Sequence, residues 1–251
     1  MNKTTITILE LDGNNSGYCT AVGVAIRIRN DKALTKIDLH SKNIRKNAIK
    51  LIANGLRSNK TITELNFSTN QIGDTGAQYF ADVLRNNKTL TRLILSNWSK
   101  ETNQIDDIGV QYLVDALQNN KTLIQLDLSN NKSSYGAVFG ASIRLQNDKT
   151  PTHLNLSGQH IGDKEVQYLA NALKNNQTLI YLDLSSNQIG DMGTEYLAEI
   201  LKINKVTITE LNLESNQITH IGAEQLAFAI CPGLRSSAET FSQMYIPIGG
   251  K

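Results

Sequence analysis

Cysteine is scarce in this chain: Cys19 and Cys231 lie at opposite ends of 251 residues. In an extended array they cannot meet, because a disulfide needs Cα atoms within about 7 Å. Two isolated thiols also make no metal-ligand pattern. Both are read as reduced and structural, which fits a cytoplasmic chain. Charge of one sign is lacking too. With 25 basic and 23 acidic residues the net charge is +2, which gives no electrostatic footprint for nucleic acid or an anionic membrane. No run of about 18 consecutive apolar residues exists, so no transmembrane helix is expected. The opening MNKTTITILELDGN has no apolar stretch followed by a small-residue cleavage site, so no secretory signal is expected.

The marks of catalysis are missing as well. A nucleophilic enzyme needs a nucleophile, a base and an orienting group brought together. The histidines, His40, His153, His160 and His220, each fall at a separate place in the chain, with no nucleophile signature beside them. There is no phosphate-binding glycine loop, no GxGxxG after a strand and no HExxH. No enzyme activity, no cofactor and no metal site is expected.

What the chain has is repetition. Residues 62–88 read ITELNFSTNQIGDTGAQYFADVLRNNK. The run alternates, turns at Asn70-Gln71-Ile72-Gly73-Asp74, then places apolar residues at Ala77, Phe80, Ala81 and Leu84. Period two followed by period 3.6 predicts one strand, one turn and one helix. Copies begin at Ile6, Leu34, Ile62, Leu90, Leu123, Pro151, Leu179 and Ile208, spaced 28 residues apart almost throughout. One extra residue precedes Ile208, and the fourth copy carries five more at Asn97-Trp98-Ser99-Lys100-Glu101. One such unit cannot bury its apolar side alone, so neighbours must stack.

The phrase L-x-x-L-x-L-x-x-N, seen at Ile62, Leu65, Phe67 and Asn70 and again at Leu179, Leu182, Leu184 and Asn187, resembles the leucine-rich repeats, and among them the ribonuclease-inhibitor-like class. The resemblance covers residues 5–230. It implies an α/β leucine-rich-repeat solenoid, a horseshoe of about eight repeats with a parallel concave β-sheet and convex helices. Residues 1–230 are then the array, and 231–251 a C-terminal tail that is a partial cap or disordered. The leucines and Ile72, Ile105, Ile161, Ile189 and Ile218 are expected to point inward, with the helix stripe Val166, Leu169, Ala170 and Leu173. The asparagines Asn70, Asn103, Asn187 and Asn216 are expected to bridge backbone groups of the turn. Asp74, Asp163 and Asp191 are expected to cap the helix each one starts. Asparagine pairs such as Asn86-Asn87 suit the reversal back to the strand. The N-x-[ST] sequons at Asn59, Asn66, Asn87, Asn97, Asn120, Asn155 and Asn176 mostly follow from the repeat's NKT and NLS phrases.

Two copies depart from the pattern together. SGYCTAVGVAIRIRNDKA from Ser16 and SSYGAVFGASIRLQNDKT from Ser133 share Tyr18/Tyr135, Gly23/Gly140 and Asn30/Asn147. Either a block of four units was duplicated or both helices drifted alike. Their glycines and β-branched residues lower helix propensity, which predicts looser segments. The first strand starts near Met1 with no polar cap. The chain is then a fragment of a larger protein, or its end is covered by a partner or by a second copy in end-to-end self-association.

The open face of the strands supplies the functional expectation, since strand side chains alternate. One row runs Glu10, Asp38, Asn66, Ile94, Asp127, Asn155, Asp183, Asn212, mostly acids and amides. The neighbouring row runs Ile8, Lys36, Glu64, Arg92, Gln125, His153, Tyr181, Glu210 and varies in charge and size. The insertion holds the single tryptophan, and Trp is a favoured interface anchor; it equally suits packing on a neighbouring turn. Arg92, Ile94, Trp98, Lys100, Gln125, Asp127, His153, Tyr181 and Asp183 are therefore the candidate residues for a protein partner, with neither nucleic acid nor membrane expected. The leading reading is a non-catalytic protein-binding module. Resemblance offers two others. Ran GTPase-activating proteins look similar but carry an acidic segment after the repeats, whereas this tail is short and not acidic. The sensor half of a nucleotide-binding innate-immune receptor is also similar, though this chain has no nucleotide-binding segment. Family members that inhibit ribonuclease are acidic and rich in Cys and Trp, unlike this chain.

Overall fold

The repeat phrase demands a strand, a turn and a helix from each copy. The computed structural model, which describes residues 6, 8–11, 14, 16–97, 103–133, 135–203 and 207–231, has that order. Its elements are α1 (Gly17–Asn30), β1 (Lys36–Asp38), α2 (Lys46–Leu56), β2 (Glu64–Asn66), α3 (Gly73–Leu84), β3 (Arg92–Ile94), α4 (Asp107–Leu117), β4 (Gln125–Asp127), α5 (Gly136–Asn147), β5 (His153–Asn155), α6 (Asp163–Leu173), β6 (Tyr181–Asp183), α7 (Asp191–Leu201), β7 (Glu210–Asn212) and α8 (His220–Ile230). Strands β1 to β4 form one parallel sheet in chain order, and β5 to β7 form a second. Parallel neighbours need a crossover, and α2, α3, α4, α6 and α7 supply it. The chain divides into two compact units, Met1–Asn147 and Asp148–Lys251. Trp98, Lys100 and the tail from residue 232 onward lie outside the described residues. Among the described residues, no helix is long and apolar enough to cross a membrane.

The inward leucines behave as the pattern requires. In the first unit Leu65, Phe67, Ile72, Leu93, Leu95 and Ile105 are buried, and Phe67 meets Phe80 edge-on with ring centroids 5.0 Å apart. In the second, Ile161, Val166, Leu169, Ala170, Leu173, Leu182, Leu184 and Ile189 are buried, while Ile218 in the last repeat is only half-buried.

Asparagine ties each repeat to the one before it. Asn70 accepts from the Ile44 N–H at 2.9 Å and donates to the carbonyls of Leu39, Phe67 and Ser68. Asn103 accepts from Ile72, Asn187 from Ile161 and Asn216 from Ile189 in the same way. Asn131, which the sequence column leaves out, does this for Ile105. A second ladder closes the helix ends: Asn59, Asn87, Asn120 and Asn176 each accept from the two N–H groups that start the next strand segment. These four side chains are buried. Their sequons are turn chemistry, and the folded chain has no room for a glycan on them.

The helix-start aspartates differ from expectation. Asp163 and Asp191 are the first residues of α6 and α7, Asp74 is the second of α3, and none caps its own helix. Each caps the following repeat. Asp163 accepts from the N–H groups of Gly190 at 2.7 Å and Gly193 at 2.9 Å. Asp191 accepts from Thr219 and Gly222, and Asp74 from Asp106. The glycine at the third position of the next helix makes the seat, since a Cβ on Gly193 or Gly222 would stand 2.6 Å from that carboxylate oxygen. The Thr219 hydroxyl first, then the Thr219 and Gly222 N–H groups and His220, hold the Asp191 carboxyl below the usual carboxylate range, against the upward push of burial. A folded pKa below the unfolded one gives stability that is complete above the unfolded value and is lost as pH falls through the folded one. Asp191→Asn is expected to destabilise the second unit at pH 7, with the gap from wild type closing below about pH 4. Equal denaturation midpoints at pH 7 would contradict this.

The degenerate copies form full helices, 14 residues in α1 and 12 in α5. Their shared glycine has a packing reason. A Cβ on Gly140 would lie 2.3 Å from the Leu126 carbonyl oxygen, and one on Gly23 2.5 Å from that of Leu9. Leu9 and Leu126 hold the same place in their copies, so both helices press on the strand segment through a missing side chain. In the first copy, Ile6 and residues 8–11 form no strand, which makes β1 the first described strand of its sheet.

Candidate protein-binding face

Each strand is the x-L-x centre of the phrase, so the middle residue points into the core and its two neighbours stand on the other face. In the first unit one row runs in register as Lys36, Glu64, Arg92 and Gln125, the other as Asp38, Asn66, Ile94 and Asp127. In the second unit the rows are His153, Tyr181, Glu210 and Asn155, Asp183, Asn212.

The acid-and-amide row is not solvated filler. Asp38, Asn66, Asp127, Asn155, Asp183 and Asn212 each accept, through Oδ1, the N–H of the residue two further on. Where that residue is Ser68, Ser129 or Ser185, its hydroxyl donates as well, at 2.7 Å. The side chain thereby folds the exit turn of its own strand, as Asx residues do. The uniformity of the row has this structural cause. Ile94 is the one member that lacks such an acceptor, and it stands half-buried beside Arg92.

The other row is unused by the turns. In the first unit Glu64 accepts Lys36 at 2.7 Å and approaches Arg92 at 4.0 Å. Arg92 Nε is buried and has no acceptor among the described residues. In the second unit the His153 and Tyr181 rings lie 5.8 Å apart, tilted by 36°. Tyr181 donates its hydroxyl to Asp183 Oδ2 at 3.3 Å, and the Thr152 hydroxyl meets His153 Nδ1 at 2.9 Å. Burial, then the charge of Asp183, pushes the Tyr181 hydroxyl up. The Ser185 hydroxyl, then its N–H, holds the Asp183 carboxyl low.

Of the sequence candidates, Arg92, Ile94, Gln125 and Asp127 share adjacent strands of the first unit, and His153, Tyr181 and Asp183 those of the second. Trp98 and Lys100 lie outside the described residues. Asn97, which opens the insertion, is buried, with its amide donating to the Asn130 carbonyl and Asn131 Oδ1. Glu64 and Glu210 were passed over, although they stand in the variable row between or beside the chosen residues. His40 falls in the turn after β1, with Nδ1 2.9 Å from Ser68 Oγ, and His220 opens α8. Among the described residues no group of His, Cys, Asp or Glu could hold a metal ion.

Residues 23–144 match the family model described as the TMOD/LMOD leucine-rich domain, and residues 175–198 and 204–227 match that of the leucine-rich repeat. The chain is a leucine-rich-repeat protein. Solved leucine-rich-repeat structures similar to it include leiomodin-1 actin-binding site 2, at 22% identity over 67% of this chain and 79% of that one, with a TM-score of 0.43. The tropomodulin C-terminal domain of Caenorhabditis elegans is 12% identical over 84% of this chain and 90% of its own, at 0.43. An internalin of Listeria monocytogenes is 20% identical over 81% and 62%, at 0.41. No curated protein matches this leucine-rich-repeat chain.

Proposed function

We propose that this leucine-rich-repeat chain is a non-catalytic, cytoplasmic module that binds a protein partner through the open face of its strands and the adjoining loops. In this reading residues 1–230 act as one array of the ribonuclease-inhibitor-like style. The observation that supports it is the division of labour between the two rows. One row is consumed by its own turns, whereas the row containing Arg92, Gln125, His153 and Tyr181 does no folding work that would explain its chemistry. Arg92 carries the argument furthest, because its side chain is 44% exposed on this face and its ion pair with Glu64 is long, at 4.0 Å, which leaves most of its charge open to a partner. Trp98 and Lys100 belong to the same proposed surface.

The test compares capture of proteins from a native lysate by wild type and by an Arg92→Glu, Gln125→Ala variant of matched circular dichroism and thermal midpoint. Charge reversal at a central arginine is expected to weaken capture at least about tenfold. Identical captured sets from both forms would remove the strand face as the recognition surface. Actin filaments are the first defined probe in the same comparison. A reading with actin as partner is favoured by the match of residues 23–144 to the TMOD/LMOD leucine-rich domain.

A further inference from the structure

The two units carry different charge arithmetic on their strand faces. In the first unit the cations Lys36 and Arg92 flank Glu64 within 4.0 Å and neutralise it locally. In the second unit β5, β6 and β7 read HLN, YLD and ELN and hold no lysine or arginine. Glu210 is exposed on this face and Asp183 is nearly buried beside it, 8% exposed, and neither has a cation from these strands.

Between these carboxylates lies an aromatic surface. Tyr181 is in register with His153 on one side and with Glu210 on the other. The imidazole covers the β5 side of the pair, its centroid 5.8 Å from that of the phenol ring. Asp183 uses Oδ1 for its own turn, with the Ser185 N–H at 2.9 Å and hydroxyl at 2.7 Å. Its Oδ2 has only long partners, the Tyr181 hydroxyl at 3.3 Å and the Asn155 amide at 3.4 Å. Both Asp183 and Glu210 act electrostatically on Tyr181, and each raises its hydroxyl pKa. The ring thus sits in a negative field set by two carboxylates on adjacent strands.

A planar cation matches this arrangement better than any other common side chain. A guanidinium stacks on an aromatic face and presents forked N–H donors that can meet two carboxylates at once, whereas an ammonium is a compact, strongly hydrated point charge. We infer that the second unit binds an arginine side chain of its protein partner, stacked on Tyr181 between Asp183 and Glu210. This deepens the protein-binding reading above and rests on it. The role of His153 is to hold the Tyr181 ring from its β5 side. The first unit, whose row neutralises itself, lacks such a place.

The probe is the peptide acetyl-Gly-Arg-Gly-Arg-Gly-amide, titrated into the full chain at low salt and followed by the NMR shifts of the Tyr181 and His153 rings. Its citrulline counterpart keeps the planar shape but removes the charge and replaces one NH2 donor with a carbonyl acceptor. The arginine peptide is expected to bind at least about tenfold more tightly than the citrulline peptide, and Tyr181→Leu or Glu210→Gln to cost about tenfold each. Glu210 is exposed, so its variant separates recognition from folding. Lys88→Ala, at an exposed residue outside the strand face, is expected to change nothing. Equal binding of the two peptides, or arginine-peptide binding untouched by both Tyr181→Leu and Glu210→Gln, overturns the arginine site. The lysate comparison with the Arg92→Glu, Gln125→Ala variant decides the broader reading separately. Loss of captured proteins there, with no arginine preference here, leaves a protein-binding face and removes only this anchor.

Discussion

Asn70→Ala is expected to lower the unfolding free energy of the first unit by about 4 kcal/mol. Asn70 is 1% exposed, and its one amide serves four backbone groups of two repeats. Two of these have other partners: the Phe67 carbonyl also accepts from Asn103 Nδ2, and the Ser68 carbonyl from the Ser41 N–H. The Ile44 N–H and the Leu39 carbonyl take their hydrogen bonds from Asn70. The variant leaves this donor and this acceptor unmet in the core, and each orphan costs about 1–3 kcal/mol. Asn70→Asp is expected to fail as well, because its second oxygen would face the Leu39 and Phe67 carbonyls in place of a donor. At the half-buried ladder position Asn216, water can replace the lost groups, so Asn216→Ala is expected to cost about 1 kcal/mol. Urea denaturation followed by circular dichroism measures all three. A loss below about 1 kcal/mol for Asn70→Ala would refute the account.

Gly140→Ala carries the second large effect, and its sign opposes simple propensity. Within a helix, alanine is better than glycine by about 1 kcal/mol. At Gly140, however, the new methyl would stand 2.3 Å from the Leu126 carbonyl oxygen. That oxygen is backbone and cannot rotate away, so α5 must shift off β4. Overpacking of this kind costs about 1–3 kcal/mol, and the upper end is expected here because the obstacle is rigid. Gly23→Ala, which meets the Leu9 carbonyl at 2.5 Å, should behave alike. Gly55 in α2 is the control. Its Cβ would first meet the Ile28 Cγ2 methyl at 3.2 Å, a side-chain contact that needs to give by only a few tenths of an ångström, so Gly55→Ala is expected to be neutral or stabilising. If Gly140→Ala stabilises as Gly55→Ala does, the close approach of helix and strand is not what holds α5.

Much of the candidate face was legible beforehand because strands alternate. Knowing that Leu65, Leu93, Leu126, Leu154, Leu182 and Leu211 point inward places Glu64, Arg92, Gln125, His153, Tyr181 and Glu210 on the other side. The same alternation could not say which of the two rows was available. Asp38 and Asp127 look like ligand-facing acids in sequence, yet each gives Oδ1 to its own turn. That bond depends on the turn curling back two residues later, which a pattern of polar positions does not encode.

The sequence by itself determined the repeating strand-turn-helix unit, its parallel stacking and its buried leucines, because each rests on local periodicity and on an apolar side that only neighbours can cover. The tertiary structure alone decided the partners across repeats. Asp74, Asp163 and Asp191 have the sequence signature of N-caps, and in a chain of 28-residue copies the same letters allow capping of either the same helix or the next. The stacking settles it: the carboxylate reaches the following repeat because the glycine two residues beyond that repeat's helix start leaves space for it. Gly23 and Gly140 read as weak helix residues for the same reason. Their carbonyl neighbours belong to another segment of the chain, and one-dimensional spacing carries no information about how closely two segments approach.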